Sequence, residues 1–146
     1  MPAQVILLPG QPAVRPENRE TERIKEKLLE YPARIAEAKK RARAEKTAAD
    51  EIRGQMDNIQ AEILYQVCTE TGNNGKPLFS NETVRNAELK RRLAQNPEYQ
   101  ELRAVLQTVE AGLFEAEALV NQLIDEFRAW KAVAELTAAE LAAFKN

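Results

Sequence analysis

The 146-residue chain contains no histidine and a single cysteine, Cys68. Those two scarcities exclude a Cys/His zinc site, an intrachain disulfide, a Ser-His-Asp triad and a Cys-His dyad. Glycine is also rare, at five residues, and four of the seven prolines (Pro2, Pro9, Pro12, Pro16) fall within the first sixteen positions. What remains is rich in Ala, Glu, Leu, Lys, Arg and Gln, a helix-forming composition. Neither charge dominates: 21 basic against 23 acidic side chains give a net charge of -2. A uniformly basic nucleic-acid binder is thereby excluded, although local basic patches are not. No apolar run approaches the ~18 residues of a membrane span, and Val5-Ile6-Leu7-Leu8 is too short and lacks the basic flank of a signal segment. The sequence therefore predicts a cytoplasmic protein with no membrane partner. Cys68 reads as a small packed side chain near a helix end, compatible with a reducing compartment.

Residues 1–16 read as a Pro-rich flexible arm, in which only Val5 to Leu8 could dock. From Glu17 the spacing changes. Ile24, Leu28, Tyr31, Ile35, Ala38, Ala42, Ala49, Ile52, Met56, Ile59 and Ile63 follow an alternating three/four rule that only Glu45 interrupts. This a/d pattern predicts a long coiled-coil helix over 17–71, kinked or briefly broken at Pro32. Two Gly, two Asn and Pro77 then place a loop at 72–80, followed by a short tip helix at 81–96 capped by Ser80 or Asn81. Pro97 suits the first turn of a second long helix, 97–145, with Asn96 as its cap. There the same rule holds without a gap from Tyr99 to Phe144, although Thr137-Ala138-Ala139-Glu140 has the form of a capping box.

Two long helices of matched length joined by a compact tip predict an all-α, long antiparallel helical hairpin. If Glu70 lies opposite Glu98, facing residue numbers sum to about 168. Ala38 then faces Trp130, Ala42 lies near Phe127, Ile24 meets Phe144, and Gly54 comes close to Gly112, so that large side chains meet small ones. The basic run Arg34, Lys39, Lys40, Arg41, Arg43 and Lys46 would meet Glu115, Glu117, Asp125 and Glu126. Two readings of that run stay open: a solvated face paired across the hairpin, or a site for nucleic acid or an acidic partner.

A second apolar line, Val105, Gly112, Leu119 and Val133, accompanies the seam, with Phe114, Ile124 and Leu136 beside it. One partner helix cannot cover so wide a band. Burial by self-association, in a homodimer or larger helical bundle, is the expected outcome, with Val105, Phe114, Leu119, Ile124 and Val133 at the contact; cover by the tip helix or the arm is the alternative. The carboxylate pairs Glu98/Glu101 and Glu115/Glu117 have no second cluster to converge with, so no metal site, cofactor or catalytic residue is expected. Gly72-Asn73-Asn74-Gly75-Lys76 lacks the spacing of a phosphate loop and follows no strand. On the tip, Arg85, Lys90, Arg91 and Arg92 meet only Glu88 as a counter-charge, with Lys76 adjoining. These five are candidate nucleic-acid contacts, weak and sequence-tolerant for want of aromatic platforms.

The segments Gly75-Lys76-Pro77-Leu78-Phe79-Ser80-Asn81, Arg91-Arg92-Leu93-Ala94-Gln95-Asn96-Pro97-Glu98-Tyr99 and Phe127-Arg128-Ala129-Trp130-Lys131 resemble small uncharacterised helical-hairpin proteins of bacterial prophages and mobile elements. The resemblance covers residues 72–135 and leaves out the arm. It carries over no catalytic residue, and implies a place near phage-type DNA recombination or replication. The expected function is a non-catalytic coiled-coil interaction or scaffold protein that binds itself and an unknown protein partner. The alternative is a DNA-binding accessory protein working through the basic tip.

Overall fold

A computed structural model describes Gly10 and residues 16–145. The expected arm therefore lies almost entirely outside the described residues. The described fold is all-α: α1 (Pro16–Thr69), α2 (Glu82–Gln95) and α3 (Pro97–Phe144). The two long helices pack against each other as a hairpin with the short helix between them. Two compact units share them, one of residues 16–37 and 120–145 and the other of residues 38–119.

The three/four spacing produces the α1 seam. Ile24, Tyr31, Ala38, Ala49, Met56 and Ile63 are buried, and the stripe residues between them, Glu45 included, are half-buried. Helix α1 runs unbroken through Pro32, whose missing N–H deprives the Leu28 carbonyl of its usual donor. Helix α3 is likewise continuous across Thr137–Glu140, so the capping-box sequence there does not interrupt it.

The connection after α1 is tied by backbone bonds. Gly72 N–H donates to the Lys76 carbonyl at 2.8 Å and Leu78 N–H to the Glu70 carbonyl at 2.9 Å. Gly75, at φ +73°, supplies the left-handed residue that this tight loop requires. The Asn81 side chain caps α2 by accepting from Val84 N–H at 2.9 Å. Asn96 caps α3 by accepting from Tyr99 N–H at 2.8 Å, which makes the Asn-Pro pair a junction that ends one helix and starts the next. In this unit Leu89 and Leu93 of α2 pack with Ile63 and Val67 of α1 to form the core cluster, with Ile59, Leu64, Phe79 and Tyr99 around it. Val84 and Ala87, also apolar and on the same helix, stay exposed.

The register differs from the expected one. Tyr31 stacks on Phe127, with ring centroids 5.9 Å apart, and its hydroxyl donates to Glu126 at 3.0 Å. The residue expected opposite Tyr31 lay about ten positions further along α3, close to three helical turns. Ile24 accordingly borders Ala134, Ala138 and Leu141 rather than meeting Phe144. In the other unit Gly112 faces the Glu45 carboxylate, which comes within 3.5 Å of where a Cβ would sit, and Gly54 has no neighbour that close. At the tip, in the unit of residues 38–119, the layout differs as well. Helix α2 folds onto the end of α1 through Leu89 and Leu93, taking the place expected for the first turns of α3. The gap at Gly112 also explains how a glutamate fits an otherwise apolar seam.

Candidate functional site

The tip surface is built on α2. Its N-cap sets the helix so that Leu89 and Leu93 face the core, and the 3.6-residue repeat then turns Lys90, Arg91 and Arg92 outward or to the side. The expectation that Glu88 is their only counter-charge does not hold, because Arg92 also pairs with Glu70 at the end of α1. Glu88 accepts from Arg91 Nη2 at 2.6 Å and from Arg92 Nε at 2.8 Å. Arg85 Nε donates to the Phe79 carbonyl at 3.0 Å, and the Arg92 guanidinium lies over the Phe79 ring, 5.7 Å from its centroid. Of the five tip cations, only Lys76 and Lys90 make no ion pair and no side-chain hydrogen bond among the described residues. Lys90 lines a shallow notch of about 280 Å³ with Leu93, Ala94, Tyr99, Gln100 and Arg103.

The paired guanidinium groups hold the Glu88 carboxyl down to about 2, from an ordinary value near 4.5, with the Arg91 hydrogen bond the largest cause and that of Arg92 next. Its side chain is only 13% exposed, so the contacts are partly shielded from solvent. The folded value is depressed, so the stabilisation is fully present above the unfolded value and disappears as pH falls from about 4.5 towards 2. The melting temperature should therefore drop through that window, and Glu88→Gln should flatten the drop in a calorimetric pH series. An unchanged profile would show that the pair contributes nothing to folding.

The second candidate surface lies on α3, outside the seam. In the unit of residues 38–119, Val105 is 45%, Phe114 75% and Leu119 37% exposed. In the other unit Val133 is 42% and Leu136 62% exposed, whereas Ile124 is half-buried. The tip helix does not cover Val105, Phe114 or Leu119, since its apolar contacts are spent on Ile63 and Val67.

The third is the basic run of α1. Arg34 pairs with Glu30 on its own helix at 3.4 Å and lies over the Tyr31 ring. Among the described residues, Lys39, Lys40, Arg41, Arg43 and Lys46 make no ion pair. These five therefore do not pair with acidic residues of the last helix, whereas the Arg34 charge, after the Gln122 and Tyr31 hydrogen bonds, helps to lower the Glu126 carboxyl. What links α1 to α3 electrostatically in the unit of residues 38–119 is Arg53, bonded to Glu110 at 2.8 Å and to Asp50 at 3.0 Å, and chiefly the Glu110 bond raises its pKa.

Cys68 is exposed rather than packed. Among the described residues, no group of three or more His, Cys, Asp or Glu side chains could hold a metal, and no helix is long and apolar enough to cross a membrane. A recess of about 340 Å³ lined by Glu20, Thr21, Thr137, Glu140, Leu141 and Phe144 lies near the helix ends. Comparison with known proteins finds no family model, no curated protein and no solved structure that matches the chain.

Proposed function

We propose that the protein is a non-catalytic helical interaction protein that associates with itself through the flank of α3 outside the seam. The observation that carries this reading is the solvent exposure of Val105 and Leu119 in one unit and of Val133 in the other. Scattered apolar side chains are ordinary on a soluble surface. Val105, Leu119 and Val133, however, recur at multiples of seven on one helix, the arrangement that a further helix buries. Each would gain roughly 1.5–3 kcal/mol on full burial. The resemblance of residues 72–135 to helical prophage proteins supports DNA recombination or replication as the setting for such a scaffold.

Light scattering tests the reading. The unmodified chain should show at least twice its 16.5 kDa mass at micromolar concentration. Leu119→Lys combined with Val133→Glu should give a monomer that keeps its helical circular dichroism and melts earlier. A monomeric unmodified protein would refute self-association.

A further inference from the structure

We infer that the α1 face carrying Lys39, Arg43 and Lys46, flanked by Lys40, is a docking surface for the phosphate backbone of duplex DNA. The three residues stand at i, i+4 and i+7, so a helical repeat places them within about 60° of arc and along roughly 10 Å of helix, with Lys40 at the edge. All four belong to the unit of residues 38–119.

Glu37, three positions before the flanking Lys40, makes no ion pair among the described residues, and the other two nearby α1 carboxylates are committed elsewhere. Asp50, one turn beyond Lys46, is bonded to Arg53. Glu45 sits in the seam with its carboxylate against Gly112. Neither Lys39 nor Arg43 has an acidic residue three or four positions away. Like charges at those spacings repel one another, and the fold supplies no counter-charge to relieve them. The contrast with the tip is direct, because there Glu88 and Glu70 neutralise Arg91 and Arg92.

The surroundings select the kind of polyanion. Ala36, Ala44 and Thr47 border the cations, and no large apolar side chain lies between them to enter a lipid interface. No aromatic ring stands on this face, so single-stranded bases find no stacking platform. A straight row of long cationic side chains on a rigid helix fits phosphates and reads no base edges, which predicts binding that tolerates any sequence. The inference does not depend on self-association, which light scattering decides separately.

Fluorescence anisotropy with a labelled duplex of arbitrary sequence tests it, using the full chain. If about three phosphates are neutralised, the log–log salt slope is about -2.7, and affinity falls about 40-fold between 50 and 200 mM salt. Lys39→Gln/Arg43→Gln/Lys46→Gln should abolish binding while leaving helicity intact and the melting temperature unchanged or higher. Lys90→Gln/Arg103→Gln, which removes the two cations of the α2–α3 notch, should bind as the unmodified protein does. Four results would each overturn the assignment: no binding at 50 mM salt, binding retained by the triple variant, loss caused by the notch variant, or equal competition by polyglutamate or a single strand.

Discussion

Leu93→Ala should lower the unfolding free energy by about 3 kcal/mol, within the range of leucine truncations in packed cores. Leu93 is buried in the cluster that joins α2 to the end of α1, beside Val67, whose side chain is fully enclosed. Cutting it back removes transfer free energy and leaves a cavity that the ring of Phe79 and Tyr99 can fill only in part. The loss should also loosen the Arg92 contacts with Glu70 and Glu88, since Arg92 precedes Leu93 on the same turn. Urea unfolding followed by far-ultraviolet circular dichroism gives the number. Val84→Ala on the exposed side of the same helix should shift stability by less than about 0.5 kcal/mol. Equal effects at the two positions would mean that α2 does not rest on Leu93.

Much of this arrangement could be read from spacing, because spacing within one helix is a local property. Ile24 to Ile63 on α1 and Ala116 and Leu123 on α3 occupy seam positions through the 3.6-residue repeat alone, and those positions are the covered ones. The cap at Asn96 was legible for the same reason, since a side-chain oxygen needs only the backbone three residues on, whereas the sequence leaves Ser80 and Asn81 open as the α2 cap and the structure uses Asn81. Cys68 was misread although the information was present: it directly follows Val67, and the turn that buries Val67 points Cys68 into solvent.

Register was a different matter. It depends on which residues of α2 reach the core, and Leu89 and Leu93 compete with Val84 and Ala87 in a helix of fourteen residues, too short for periodicity to decide. Leu89 and Leu93 take the end of α1 in one unit, and in the other Tyr31 meets Phe127, about ten positions from its expected neighbour. The charge matching that supported the expected register fell with it. Lys39 to Lys46 lost their assigned partners, and Arg53 gained Glu110. The tip cations were visible in the sequence, but the carboxylate of Glu70 that restrains Arg92 comes from the residue just after α1, and only the fold brings the two together.

The Tyr31–Phe127 contact, which the expected register did not contain, supplies the second large effect. Tyr31 is buried, stacks on Phe127, carries the Arg34 guanidinium 5.2 Å from its ring centroid and donates to Glu126. Tyr31→Ala deletes the whole ring from the unit of residues 16–37 and 120–145, and should cost about 3–5 kcal/mol, as removal of a buried aromatic does. Tyr31→Phe keeps the ring and loses only the hydroxyl, so its cost should be a small part of that. It also removes one of the two hydrogen bonds that hold the Glu126 carboxyl below its ordinary range, leaving the stronger contribution of Gln122. A depressed carboxyl stabilises the fold above its unfolded value and stops doing so as pH falls through its folded one. Tyr31→Phe should therefore lose less stability than the unmodified chain on acidification. Trp130, half-buried in the same unit and the sole tryptophan, reports both transitions by its fluorescence. If Tyr31→Ala unfolds at the same denaturant concentration as Tyr31→Phe, the ring packing is not what holds this end of the hairpin. If both unfold far earlier than the unmodified chain, the hydroxyl bond carries the contact instead.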